Sequence, residues 1–324
     1  MRLLIFLAVS ALAPAADPIA SLQLHFDPAR GYLPALLAAL HIPVESQIAV
    51  FSKTSIQSMR IEPAHPRLLY FNDSVVVGSV HGGFLEIAAQ DPAQGIRFYA
   101  LQQRPDEHPV HREDCLNCHK SGTTLLRSVI PTPDGIPSAE TAEPWGGWFV
   151  TGRTLPAVHL GNTVFDHSEK RELTPPLASD VVALKVFAHQ MRMMNLLAHP
   201  SNIDELVDHL LFLDEPSLPS RIQGDSGFTK IFEAAGPRDH RGRSLRQFDL
   251  ETRLMRYPCS YMIYSAAFDA LPPPIKDAVY RRLWTILSSR QTPLSRADRQ
   301  AIIEILRDTK PDLPAYFVSL VELD

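Results

Sequence analysis

Cysteine is scarce in this sequence, with only three among 324 residues. Secreted proteins that are held together by disulfides carry more cysteines in a shorter chain, so a disulfide scaffold is disfavoured. An excess of positive charge is also lacking, because the formal net charge is −5 at pH 7. A dedicated nucleic-acid-binding protein carries a clear positive excess, and the charge therefore argues against that class.

Long apolar runs are missing too, apart from a short one at the N-terminus. The sequence "MRLLIFLAVSALAPAADP" has one arginine, an apolar run from Leu3 to Ala13 and then A-P-A. This order is typical of a secretory signal peptide, and the run is shorter than the roughly 20 residues of a spanning helix. We expect residues 1–16 to be removed by cleavage near Ala15 or Ala16, with an uncleaved anchor as the alternative. The mature chain is then periplasmic or secreted and has no transmembrane segment.

Two of the three cysteines stand in "REDCLNCHKSG", where Cys115 and Cys118 are followed at once by His119. C-x-x-C-H is the attachment signature of c-type haem. Two thiols at this spacing can reach the two vinyl groups on one porphyrin edge and form thioethers, and the next residue places an imidazole against the iron. The sequence therefore predicts one covalent haem c, held by Cys115 and Cys118, with His119 as the proximal iron ligand.

Other uses of the same residues are weaker but stay open. A zinc site commonly has four ligands, whereas this pair stands alone and Cys259 is far away in sequence. A thioredoxin-like redox pair follows a buried strand, but the preceding "PDEHPVHRED" is polar and loop-like. A local Cys115–Cys118 disulfide in a haem-free protein remains the main alternative.

The hydrophobic pattern predicts an α+β fold. Residues 45–103 contain short segments rich in branched and aromatic residues, separated by turn residues, which favour an N-terminal antiparallel β meander after one short helix that ends near His41. Residues 104–178 are loop-rich and carry the haem motif. Helical periodicity then predicts helices near 179–198, 202–213, 226–235, 259–270, 273–290 and 295–308. The mature chain is thus a β-rich haem-bearing part, 17–178, and a mostly helical part, 179–324, either as two parts or as one continuous domain.

The distal iron position has two candidate histidines. His159 lies in "LPAVHLGN", a loop that can return to the iron. The rival is His189, on a helix whose two faces are both apolar, although a satisfied core histidine is the commoner case. Met191, Met193 and Met194 are expected to fill the core rather than bind iron.

Three further features carry weaker hypotheses. Trp145 and Trp148 in "WGGW" pack either on the porphyrin or in an ordinary core turn. Cys259 is expected to be a buried small apolar residue. A basic loop is expected to be solvated, with haem propionates as the alternative ligand; its arginines are Arg238, Arg241, Arg243 and Arg246.

Several segments together resemble a group of exported bacterial proteins that carry a single c-type haem motif. These segments are "FSKTSIQ", "PRLLYFND", "CLNCH", "WGGWFVTG", "GRSLRQFDL", "RYPCSYMIYS" and "LSRADRQAIIEIL". The resemblance covers nearly all of the mature chain and implies haem binding through Cys115, Cys118 and His119, but it implies no substrate. The layout is not that of a class I cytochrome c, in which the signature lies near the start of a small all-helical domain.

The sequence thus favours an electron-transfer protein over an enzyme. A c-type cytochrome-like carrier requires periplasmic redox partner proteins and an iron closed by a second protein ligand. The first alternative is a haem-dependent, peroxidase-like oxidoreductase, which requires an open iron. The second is the haem-free binding protein with the Cys115–Cys118 disulfide.

Overall fold

A computed structural model describes residues 17–53, 55–117, 119, 147–152, 163–164 and 178–318. The predicted signal peptide lies outside these residues. The described helices are α1 (Leu33–Ala39), α2 (Val181–Ala198), α3 (Ile203–Leu210), α4 (Phe228–Ala234), α5 (Ala266–Asp269), α6 (Pro273–Ser288), α7 (Arg296–Thr309) and α8 (Ala315–Val318). The strands are β1 (Ile48–Val50), β2 (Arg67–Phe71), β3 (Val75–Ser79), β4 (Leu85–Asp91), β5 (Gly95–Leu101), β6 (Val110–His111), β7 (Phe149–Val150) and β8 (Thr163–Val164).

The first six strands form one antiparallel sheet in chain order, which confirms the predicted meander. Its turns follow from local hydrogen bonding. In the β2–β3 turn the Asn72 side chain accepts from the backbone N–H groups of Ser74 and Val75, and in the β4–β5 turn the Asp91 side chain accepts from those of Ala93 and Gln94. Gly95 closes that hairpin with a φ of 78°, a conformation that glycine adopts without strain.

The sixth strand lies in a segment that the sequence predicted to be loop. Val110 and His111 pair with Ala100 and Tyr99 of β5 and extend the sheet by one short strand. Two residues are too few for a periodic signal in the sequence. This pairing positions the segment that follows beside β5, where the ring of His119 contacts Phe98.

The two faces of the sheet bury different layers. Alternate residues such as Val77, Ile87 and Leu101 pack against α1. The intervening ones, such as Phe71 and Phe98, join the larger core of the helical half. This alternation is the period-2 pattern of a sheet that is covered on both sides.

Helix α2 is the centre of the larger core. Its Phe187 ring lies 5.2 Å from the ring of Phe71 in the sheet, and its His189 ring lies 4.5 Å from that of His209 in α3. Met191, Met193 and Met194 are all buried in this core, as expected for core-filling methionines. Among the described helices, none has both the length and the apolar character needed to cross a membrane.

The predicted helix over 259–270 is wrong in detail. A 3-10 turn over Tyr261–Tyr264 is separated from the short α5 by Ser265, whose backbone is extended. The Ser265 hydroxyl accepts from the N–H of Phe268 and begins a new helix instead of continuing the old one. The parallel pair β7–β8 and the short α8 were not predicted, because so few residues give no periodicity.

Gly152, which follows β7, lies so close to Gln223 that a substitution there tests the packing of these two segments. Gly152 has a φ of +94°, and a Cβ there would lie 2.4 Å from the carbonyl oxygen of Gln223. Gly242 has a similar φ of +75°, but a Cβ there would meet no atom within 4 Å. We expect Gly152→Ala to cost about 2–4 kcal/mol of unfolding free energy, from backbone strain and overpacking together. Gly242→Ala is the control and should cost only the strain, about 1 kcal/mol, in urea unfolding. Equal losses would contradict the close approach to Gln223.

Candidate functional site

The haem motif begins in a 3-10 turn, Asp114–Asn117, directly after β6. The Arg112 guanidinium pairs with the Asp114 carboxylate and donates to it from Nε at 2.8 Å, which fixes the start of the turn. The backbone N–H of His119 donates to the carbonyl of Cys115 at 3.0 Å. This i to i−4 bond closes one helical turn and puts Cys115 and His119 on the same side of it.

The imidazole of His119 lies against the sheet. Its ring centroid is 4.7 Å from that of Phe98 on β5, with the rings tilted by 40°. The backbone N–H of Arg112 donates to the Phe98 carbonyl at 2.8 Å, so the segment is held to β5 at two points. His119 is half-buried, and its ring is therefore both supported by the core and accessible from outside.

The Cys115 thiol is free and half-buried, and it packs against the larger core. Burial, and next the negative charge of Asp114, raise the pKa of this thiol. The second cysteine of the motif, Cys118, lies outside the described residues, as do His159 and Trp145. Trp148 is described and is fully buried in the core.

The rival distal ligand His189 is completely occupied by protein partners. Its Nδ1 lies 2.5 Å from a carboxylate oxygen of Glu215, and its Nε2 lies 2.7 Å from the hydroxyl of Ser260. Burial lowers the pKa of His189. His189 and His119 contact different layers, the first α3 and the Ser260 segment, the second the sheet. A role for His189, or for His159, at the iron stays a prediction.

His189 belongs to a cluster that the sequence did not indicate. His209 is buried beside it, and Glu215 completes a group whose candidate ligand atoms all lie within 4.8 Å of one another. Phe212 stacks on the other side of the His189 ring, with centroids 4.1 Å apart. The three residues are separated by 20 and 6 positions, a spacing with no recognised motif. Only the end of α3 and the turn after it bring them together.

The sequence predicted that the basic loop is solvated, but in the structure its arginines also make contacts within the protein. Arg246 is buried and pairs with Asp73, and its guanidinium carbon lies 4.7 Å from the ring centroid of Phe232 and 4.4 Å from that of Tyr261. Arg241 and Arg243 donate to Glu304 across the structure, and Arg238 donates to backbone carbonyls. The guanidinium groups of this loop therefore serve the fold. The sequence could not show the pairing with Glu304 and Asp73, because these two carboxylates are more than 60 residues away from the arginines.

The third cysteine behaves as expected. Cys259 is fully buried in the larger core, and burial raises the pKa of its thiol to about 12. It is a small apolar core residue.

No protein-family model, curated protein or solved structure matches this chain significantly. The functional argument therefore rests on the chain's own residues.

Proposed function

We propose that this protein is an exported monohaem c-type cytochrome-like protein that binds one haem c covalently and transfers electrons through it. The observation that carries the proposal is C-x-x-C-H at residues 115–119 in a chain that begins with a predicted export signal. Haem attachment of this kind takes place outside the cytoplasm, so the two independent signals agree.

The described part of the motif fits such a group. The turn that joins Cys115 to His119 places the thiol and the imidazole on one side, where a single porphyrin can meet both. The free Cys115 thiol can add across a vinyl group to form a thioether, in which the sulfur bonds to one vinyl carbon, the proton goes to the other and no group leaves. Phe98 supports the His119 ring and limits its rotation. When bound, the haem supplies a one-electron iron couple whose potential depends on its axial ligands.

The surface around the motif supports electron transfer to a partner protein. Val110 and Leu116 are large apolar residues on either side of Cys115, and each is 49% exposed. Exposed apolar side chains beside a redox group suit brief contact with a periplasmic redox partner. His159, and after it His189, are the candidates for the second axial ligand. Closure of the iron by either one would favour a carrier over a peroxidase-like enzyme.

The experiment is co-expression of the full chain with a haem c maturation system, followed by a pyridine haemochrome spectrum. We expect one haem per chain. This haem should remain on the polypeptide after denaturation and solvent extraction, and its spectrum should show the band of a haem attached through thioethers. Colourless protein, or haem that is extracted from the denatured chain, would overturn the proposal. Carbon monoxide added to the reduced protein then distinguishes the functions: a carrier with closed iron leaves the Soret band unchanged, whereas immediate binding favours the oxidoreductase.

A further inference from the structure

His189 on α2, His209 and Glu215 form a second candidate site, and use of His189 there would leave His159 as the candidate for the second axial ligand of the haem iron. We propose that His189, His209 and Glu215 bind one divalent transition-metal ion of zinc-like chemistry. Two imidazoles and one carboxylate are a donor set that suits Zn²⁺ and its first-row neighbours.

The positions of the three donors are close to those that a metal requires. Glu215 Oε1 is 2.5 Å from Nδ1 of His189 and 3.9 Å from Nε2 of His209. Ligands of a tetrahedral zinc at about 2.0–2.1 Å lie about 3.3 Å from one another. Shifts of about an ångström, together with rotation of the stacked imidazole rings, whose planes differ by 28°, would be needed to bring all three donors into coordination.

The surroundings of His209 point to a cation. Its Nδ1 lies 2.9 Å from an oxygen of Asp214, the carboxylate–histidine arrangement that orients metal ligands. Its Nε2 faces only oxygens among its recorded partners, namely the carbonyl of His189 at 3.2 Å and the carboxylate of Glu215. The carbonyl oxygen can only accept, so Nε2–H donates to it in the metal-free site. A metal ion bound at Nε2 would take the place of this proton and face the same oxygens.

Ser260 allows His189 to serve as the second imidazole ligand. In the neutral ring, Nδ1–H donates to Glu215 and Nε2 accepts from the Ser260 hydroxyl. A hydroxyl can reverse this role, so that Nε2–H donates to Ser260 Oγ and Nδ1 is left with a lone pair for the metal. Ser260 Oγ already accepts the N–H of Met262, which keeps the hydroxyl in place for both states.

The site also has the charge and the access that a cation needs. Glu215 and Asp214 bring two carboxylates to the site. The Arg192 guanidinium pairs with one of them, with a nitrogen 3.0 Å from a carboxylate oxygen of Asp214. The side chains of His189 and His209 are buried, but that of Glu215 is 26% exposed and opens the site on one side. Solvent can therefore supply the fourth ligand through this opening. The bound metal would connect α2, α3 and the turn after α3.

The test is calorimetric titration of Zn²⁺ into the chelator-treated full chain. We expect one ion per chain, and the same result when Cys115 and Cys118 are both replaced by alanine, because the haem motif is not involved. Glu215→Gln and His209→Gln should each abolish stoichiometric binding. Asp214→Asn should weaken binding about 10–100-fold, as loss of a residue that orients a ligand does. His240→Gln is the matched control, since His240 also pairs with a carboxylate, Asp308, but is exposed and, among the described residues, belongs to no group of three donors.

Two further readouts keep the result decisive if a histidine variant folds poorly. Glu215→Gln keeps the shape of the side chain, and Zn²⁺ should raise the melting temperature of the parent protein but not of this variant. Co²⁺ bound to the variant in which Cys115 and Cys118 are replaced by alanine should show visible d–d bands without thiolate charge-transfer bands. Absence of stoichiometric Zn²⁺ binding, or binding that Glu215→Gln leaves unchanged, would overturn the metal site. Neither outcome depends on whether haem is attached.

Discussion

Replacing both Cys115 and Cys118 by alanine is expected to remove all covalently bound haem from the matured protein. In the proposed protein, the two thioethers are the only covalent bonds between the chain and the porphyrin. In the double variant only His119 would hold the haem, through its iron, and such haem would be extracted on denaturation. The measurement is the pyridine haemochrome of the denatured, extracted chain, compared with that of the unsubstituted protein.

Single substitutions make this test stepwise. Cys115→Ala leaves one thioether, so its haemochrome band should shift toward that of a porphyrin with one free vinyl group. Cys259→Ala is the matched control, because this cysteine is fully buried in the core and should retain the full haem content. Covalent haem in the double variant, or its loss in Cys259→Ala with the fold intact, would show that the attachment site has been assigned to the wrong residues.

Asp180→Ala is expected to be among the most destabilising single substitutions in the helical half, with a loss of about 3–5 kcal/mol. This carboxylate is fully buried at the N-cap of α2. One oxygen accepts from the N–H groups of Val182 and Ala183, and the other from those of Asp225 and Ser226. Truncation leaves several buried N–H groups without an acceptor, and each is costly.

An exposed cap provides the matched control for this prediction. Asn202 caps α3 by accepting a single N–H, that of Glu205, at 3.2 Å. Asn202→Ala should therefore cost only about 1 kcal/mol. Urea unfolding monitored by circular dichroism gives both values. Similar losses for the two variants would mean that Asp180 does no more than an ordinary helix cap.

Local patterns were enough to predict most of the secondary structure. The alternating segments of 45–103 gave the strands and their order, because consecutive strands with short turns pair with their chain neighbours. The predicted helix near 295–308 begins with Ser295, whose side chain accepts the N–H of Asp298 at the start of α7. The Ser265 break and the two-residue β6 were missed, since single hydrogen bonds decide both.

The candidate haem segment was found from sequence because its chemistry depends on five adjacent residues. Spacing within a single turn is a local property, and the structure adds the support of Phe98 and the exposed Leu116 beside it. The distal ligand could not be chosen in the same way. Its identity depends on which distant loop or helix reaches the iron.

The sequence by itself therefore determined the meander, most of the helices and the haem motif, since each is encoded by neighbouring residues. Only the tertiary structure decided that His189 meets His209 and Glu215, that Arg246 is buried against Asp73, and that Asp180 caps α2 while also binding the turn at Asp225. The physical reason is the same in each case. A buried polar group must find partners, and packing chooses those partners from elements that are far apart in the chain.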